Sequence, residues 1–516
     1  MPPKRNSQHK QVCNHQCLIT DPSQNASRVG YKQLSAQQLF TAATGSRKEV
    51  SAEFMNLTGS CPSPLVLPGD ELAHDPRHPP QSFKSWLNGE HRNKVTESRQ
   101  TVYVAAQPKV AQSSSFMADW VEARQVASEK WQDPIPPPKP EDVVEYLSAF
   151  FCGLPVKMLP DQLQFSRLAK SEKSARIGSK KGSESALTSD PEFIEIQSAS
   201  TGIATRIRVR HLSEEDDYSP YLHQLNLNDL LDHAIAILPE DAYCLLQMVD
   251  HDLYEDENDD FCCGRAYGGS RICVVSSAQY QPVLDVWHDV DVKEGHGWPG
   301  SHCKDFVDAT CGGSSETVSH AVKSYKRKHS QLADRTRGIK DFAKSGDLAS
   351  NAIVLDSSST FEDESDIETP LQEAIAAHRL MQRKKKFSRT DLSNLNLRRV
   401  ALTASHELLH CFGFDHCVYY ACAMQGTASM QEDHRQPPYL CPVCENKLAW
   451  AICNVQGRTP HATDSKSDWW TTKGIVDWKI RKDKAILAFC NSRKKDDIGF
   501  ATLCAWTRTR LNITGP

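Results

Sequence analysis

Five residues at fixed spacing constrain this chain more than anything else in it: His406, Glu407, His410, Gly413 and His416, an HExxHxxGxxH run. An α-helix rises about 1.5 Å and turns about 100° per residue, so side chains four apart stand about 6 Å from each other on one face. Two imidazoles so placed can reach a single ion at roughly 2 Å each. Gly413 lets the helix stop and the backbone turn sharply, which brings His416 back as a third ligand. Three neutral nitrogens leave the fourth tetrahedral position to water. Glu407 adjoins a ligand but is offset around the helix, so its carboxylate flanks the metal, where a general base for that water has to sit. Zinc lowers the pKa of bound water from about 15.7 to near 7 and polarises a carbonyl for attack. Peptide-bond hydrolysis follows as the reaction class. HExxH alone recurs in unrelated helices, whereas chance assembly of the longer run here is roughly a one-in-ten-thousand event.

Directly after His416 come Cys417, Cys422, Cys441 and Cys444, as C-x4-C, a loop of 18 residues and then CPVC. Two cysteine pairs at this spacing fit a four-thiolate zinc site, closed to water, that folds its segment rather than catalysing. The competing reading, a CxxC redox pair, requires a thioredoxin-like unit and leaves the C-x4-C pair unexplained. The chain has 18 cysteines, and its start, MPPKRNSQHKQVCNHQC, lacks the apolar core of a secretory signal. Reduced thiols and metal ligands are therefore expected rather than a disulfide framework.

Together the two runs, HExxHxxGxxHC-x4-C-x-M and CPVC, resemble the archaemetzincins, metzincin-type metallopeptidases that carry a four-cysteine zinc site immediately after the catalytic helix. The similarity takes in Asp252-Leu253-Tyr254, Phe261 to Ala266, the VSSAQY run from Val275 to Tyr280, and Tyr146 to Pro160. The resemblance implies that His406, His410 and His416 bind a catalytic zinc with Glu407 as general base. It likewise implies that Met424 forms the apolar floor of a Met-turn and that Cys417, Cys422, Cys441 and Cys444 bind a structural zinc. Two Zn2+ per chain and a peptide or protein substrate follow from it. So does an α+β fold: a metzincin-like mixed sheet, an active-site helix and a small zinc-organised C-terminal subdomain. The substrate is expected to lie along an edge strand near Arg271–Ser276, as an added strand.

A hydrophobic content of 39% over 516 residues points to one substantial core diluted by polar additions. Residues 1–130 read as a polar, mostly disordered arm. Residues 131–301 read as the N-terminal part of the catalytic domain, with a loop at about 170–190. Helical spacing is expected after Pro140 and from Leu225 to Ile237, and strands at Phe193–Ile196, Arg206–Arg210, Ala242–Val249 and Arg271–Ser276. Residues 302–390 read as a disordered insertion with basic runs at Lys326–Lys328 and Arg383–Lys386 and an acidic run at Asp356–Glu368. Residues 391–516 then supply the active-site helix, the four-cysteine segment and C-terminal elements, in which Ile486–Leu503 is a closing helix or strand pair. The Trp469-Trp470 pair fits neither period.

Formal net charge is −5, and no run of 18 apolar residues occurs. A dedicated nucleic-acid binder and a membrane span are both disfavoured. The cytoplasm is the expected compartment, with nuclear import through the basic runs as the second destination. His9, Cys13, His15 and Cys17 are close enough in sequence to bind a metal but read as incidental residues of the arm. His288, His296 and His302 with Cys303 read as satisfied or solvent-facing. Two other functions compete with a peptidase: a catalytically inactive, zinc-stabilised interaction protein, and a zinc-ribbon-like nucleic-acid module. The second is weakened by Glu432 and Asp433 in a cysteine loop without lysine. Oligomeric state is not written in the sequence.

Overall fold

A computed structural model of the chain describes residue 13 and residues 15–52, 54–55, 59–90, 92–124, 135–168, 192–213, 219–290, 295–312, 369–383, 387–455 and 468–514. Its strands are β1 (Thr101–Ala105), β2 (Lys109–Val110), β3 (Val156–Met158), β4 (Leu163–Arg167), β5 (Phe193–Ser198), β6 (Ala204–His211), β7 (His223–Asn226), β8 (Ala242–Val249), β9 (Asp252–Tyr254), β10 (Gly264–Tyr267) and β11 (Ile272–Ser276). They form two mixed sheets, in the orders β10-β11-β8-β1-β3 and β2-β4-β5-β6-β7-β9. The expected α+β class with mixed sheets is thus present, in two sheets rather than one.

In the first sheet β3, β1, β8 and β11 run parallel, and only β10 is antiparallel. The run AYCLLQMV of β8 is buried along its whole length, as a parallel strand covered on both faces must be. The crossover from β1 to β3 contains the helix Pro140–Phe150. Pro140 starts it, Glu141 and Asp142 occupy its first turn, and Val143, Tyr146, Leu147 and Phe150 line its buried side. In the second sheet β5 and β6 alternate as expected and bury Ile194, Ile196, Ile207 and Val209 in a core shared with the helix Leu227–Ala236. The edge strand differs from expectation. Ile272–Ser276 lies between β8 and β10, so β10 forms the open edge.

The helix Arg389–Cys411 passes beneath β10 and β11. Ser388 and Asp391 close its start reciprocally: the Ser388 hydroxyl accepts the Asp391 N–H at 3.1 Å, and the Asp391 carboxylate accepts the Ser388 N–H at 2.7 Å. Most of its residues from Leu395 to Leu409 are buried, which marks an internal helix rather than a surface one. Its buried cations are matched, Arg398 with Asp497 at 2.9 Å and Arg399 with Asp285 at 2.7 Å.

Three regions depart from the expected organisation. Residues 15–124 are not a mostly disordered arm: they carry helices at Ala36–Thr44 and Phe83–Leu87 and strand β1. Phe40, Phe54, Phe83 and Trp86 are scattered without a period, yet they are buried in the same core as the C-terminal aromatics. The Phe83 ring stacks on Trp469 at 4.2 Å, and Trp470 meets Phe40 edge to face at 5.6 Å, which accounts for the tryptophan pair. The insertion is structured at both ends, with helices Lys304–Gly312 and Pro370–Gln382. The basic run at 326–328, the acidic run at 356–368, most of the run at 383–386 and the loop at 170–190 lie outside the described residues. The tail forms two helices, Lys473–Arg493 and Ile498–Thr514, packed on each other. No helix among the described residues is long and apolar enough to cross a membrane.

A buried charge network ties this tail to the body. Glu445 receives Lys482 at 2.5 Å and also pairs with Arg510, while Asp483 lies 3.3 Å from Arg510 and 3.4 Å from Lys482. Burial alone would raise the Glu445 carboxyl, but Arg510, Lys482 and Lys479 outweigh it and hold it well below the usual carboxylate range. Its stabilisation is therefore present above the ordinary glutamate range and is lost only as pH falls through the depressed folded value. Glu445→Ala leaves buried cations under-compensated and is expected to cost about 3–5 kcal/mol in chemical denaturation. An unchanged denaturation midpoint would show that the network carries no stability.

Candidate metal centre

The helix Arg389–Cys411 brings His406 and His410 to one face, and a left-handed Gly413 (φ 77°) turns the chain so that His416 returns to them. The ring centroids lie 4.8 Å (His406–His410), 5.4 Å (His406–His416) and 5.2 Å (His410–His416) apart. The His406 and His410 Nε2 atoms are 3.1 Å apart, and one nitrogen from each of the three rings falls within 4.8 Å of the others.

The opposite nitrogens decide how these rings are used. His406 Nδ1 lies 2.8 Å from the Ala423 carbonyl, His410 Nδ1 2.7 Å from the Phe414 carbonyl, and His416 Nδ1 2.9 Å from Glu71 Oε1. Each partner is an acceptor, so Nδ1 carries the proton and the Nε2 lone pair is left for a metal. Burial and the neighbouring imidazoles hold His406 well below its usual range and His410 down at about 4, so both stay neutral. Burial works the same way on His416, but Glu71 outweighs it and the net shift is upward. Three ring nitrogens that converge within 4.8 Å of one another suit a single cation.

Glu407 is buried on the side of the helix facing β10, where burial pushes its carboxyl up to about 8 against the pull of His416, Arg265 and the Ala266 N–H. It opens with the three histidines into a cleft of about 570 Å³ bordered by β10 and by Thr427–Met430. Gly268, in the turn after β10, sits against the end of the helix, where a Cβ would collide with the His410 carbonyl. Cys417, Cys422, Cys441 and Cys444 are buried, with their sulfurs within 4.8 Å of one another. The backbone N–H groups of Met424 and Cys441 both point at Cys422 Sγ, at 3.5 and 3.3 Å. Met424 itself is fully buried, and the carbonyl before it is the one that receives His406.

The family model of Peptidase family M54 matches residues 314–450, the stretch that contains both clusters. This segment is similar to the archaemetzincins. It is 40% identical over 62 residues to Archaemetzincin-2 of Macaca fascicularis, covering 12% of this chain and 17% of that protein. It is 35% identical over 74 residues to Archaemetzincin of Thermococcus kodakarensis, covering 14% of this chain and 39% of that one. The chain therefore spans well under two thirds of the curated relatives it matches. Among solved structures, archaemetzincin from Methanopyrus kandleri overlaps 69% of this chain and 97% of its own, at 13% identity and a TM-score of 0.27. A zinc-dependent peptidase from Methanocorpusculum labreanum overlaps at 13% identity and a TM-score of 0.25.

Outside the segment matched by the family model, the first 100 residues supply much of the support. The last carbonyls of a helix lack intrahelical donors. Here Asn93 donates to the Cys411 carbonyl at 3.1 Å, Trp86 Nε1 to that of Phe412 at 2.9 Å and Gln81 to that of Gly413 at 3.0 Å. Glu71 adds the contact to His416. None of these was singled out in the sequence, because a lone Glu, Gln or Asn hundreds of residues from the motif carries no pattern. The nearest available signal was Pro68-Gly69-Asp70-Glu71, a turn followed by a short helix start.

Outer partners of ligating histidines typically contribute about 10–100-fold to metal affinity. Glu71→Ala is expected to weaken zinc held at the three histidines by about that factor in chelator competition, and Glu71→Gln, which keeps an acceptor oxygen, by less. Equal affinity in the alanine variant would show that His416 is oriented by something else.

Proposed function

We propose that this protein is a zinc-dependent metallopeptidase that hydrolyses peptide bonds, with His406, His410 and His416 holding the catalytic ion through Nε2. The observation that carries the reading is three imidazoles with Nδ1 committed to acceptors and Nε2 converging, beside a buried carboxylate in an open cleft. Bound there, zinc supplies the Lewis acidity that polarises a scissile carbonyl and makes water acidic enough to be used near neutral pH.

The chain's own groups do the rest. A Glu407 carboxylate oxygen accepts the proton of the attacking water and returns it to the departing amine nitrogen. The open edge of β10 offers backbone groups on which an extended substrate pairs as an added strand, so the strand expected at Arg271–Ser276 is replaced in this role by Gly264–Tyr267. Met424 fills the floor beneath the histidines. Cys417, Cys422, Cys441 and Cys444 hold a second zinc whose four positions are filled by thiolates, which leaves no place for water and makes the site structural.

A catalytically inactive, zinc-stabilised scaffold is the weaker reading. Burying Glu407 in the cleft costs stability that a scaffold has no reason to bear, whereas a proton acceptor has to stand there. Glu407→Gln is expected to keep the wild-type zinc content and to lose about 10²–10⁴-fold in hydrolysis. Digestion of a peptide library by both proteins, read by mass spectrometry, makes the comparison, and undiminished cleavage by the variant refutes the assignment.

A further inference from the structure

A third cluster of metal-binding side chains lies outside both sites described so far. Cys13 and His15 come from the start of the chain, His296 and Cys303 from residues 296–303. One ligand atom from each of Cys13, His15 and His296 lies within 4.8 Å of the other two. Cys303 Sγ stands 3.2 Å from Cys13 Sγ, across 290 residues of sequence.

The backbone builds this meeting. Leu18 bridges Cys303 in antiparallel fashion, Ile19 N–H donates to the His302 carbonyl at 2.8 Å, and Lys304 N–H donates to the Cys17 carbonyl at 2.9 Å. Cys13 and His15 are thereby brought against residues 295–303, with His15 at a φ of 47°. The His15 ring is 1% exposed, and neither of its nitrogens has a hydrogen-bond partner. It sits among His296, 5.3 Å away between ring centroids, and His378, at 5.1 Å. An imidazole buried with both nitrogens unsatisfied is costly, and a cation among these neighbours would engage one of them. Phe306 stacks on His296 at 4.3 Å and orients that ring.

We propose that Cys13, His15, His296 and Cys303 form a third zinc site, a closed Cys2His2 centre that pins the start of the chain to the body. Two thiolates and two imidazoles are a common tetrahedral set for structural zinc, and Zn–S bonds of about 2.3 Å hold two sulfurs roughly 3.7 Å apart, to which the Cys13 and Cys303 sulfurs, 3.2 Å apart here, would open around the ion. All four positions are filled by protein, so the site has no room for a reacting water. Binding requires both thiols to give up their protons to solvent and needs no oxidant. The ion cross-links residues 13–19 to the 295–303 loop, and so restrains the arm that carries Glu71.

The test is the zinc content of the full-length protein by inductively coupled plasma mass spectrometry. Cys13→Ser is expected to contain one zinc ion per chain fewer than wild type, as is His296→Ala, with circular dichroism unchanged. Limited proteolysis should then cut near residue 19 in the variants but not in wild type. Equal zinc content in wild type and a folded Cys13→Ser protein overturns the proposal, as does a Cys13–Cys303 disulfide in the purified chain. Glu407→Gln leaves this count untouched, so loss of the peptidase reading and loss of this site are separate outcomes.

Discussion

Three acceptors take the Nδ1 protons of His406, His410 and His416, and that choice of tautomer leaves three lone pairs facing one point. The rest of the architecture keeps those acceptors in place. The Ala423 carbonyl belongs to the segment between the first two cysteines and their partners, the Phe414 carbonyl to the turn after Gly413, and the Glu71 carboxylate to the arm. Each histidine is thus oriented by a different part of the chain. Misplacing any of the three turns a ring, and a turned ring removes a donor from the centre.

The arm is what makes this arrangement possible at the helix end. A helix that stops in the interior leaves carbonyls without partners, and burying them unsatisfied costs free energy comparable to a lost hydrogen bond. Side chains of Asn93, Trp86 and Gln81 supply the missing donors one after another along Cys411, Phe412 and Gly413. Gln81 also accepts the Asp415 N–H at 3.1 Å and Lys447 Nζ at 2.7 Å. One glutamine therefore joins the turn before His416 to the helix that begins at the CPVC pair. Residues that look like solvent-facing polar filler in the sequence are caps for a buried helix.

That contrast explains what could be read without a structure. The helix Arg389–Cys411, β5 and β6 were legible because their apolar residues recur at a fixed period, with Gly413 as the helix stop, and β8 because it is a continuous apolar run of strand length. The two clusters in the 406–444 segment were legible because each is local in sequence and metal geometry fixes its spacing. Glu71 and the meeting of Cys13 and His15 with His296 and Cys303 were not legible, since they depend on contacts between residues hundreds of positions apart. The arm was misjudged for a related reason. Phe40, Phe83 and Trp86 are single aromatics in polar surroundings, and their partners Trp469 and Trp470 stand near the other end of the chain. Period detects a face that an element buries on its own. It does not detect aromatics that complete a remote core.

The four-cysteine cluster has a place in the same mechanical chain. Cys441 and Cys444 stand at the start of the helix Pro442–Val455, and the next residue, Glu445, anchors Arg510 and Lys482 of the two tail helices. Tail and arm then meet directly: Trp506 stacks on Tyr439 at 4.2 Å and donates from Nε1 to the Ser60 carbonyl at 3.2 Å. Ala421, between Cys417 and Cys422, donates its N–H to Pro62 at 2.9 Å. The path from active-site helix to cysteines, tail and arm closes on itself, because the arm returns to the helix through Asn93 and to His416 through Glu71. In a closed loop of this kind, loosening the cysteine cluster shifts the arm as well as the tail. Packing of the four-cysteine cluster and orientation of the third histidine are therefore coupled, although the two clusters share no residue.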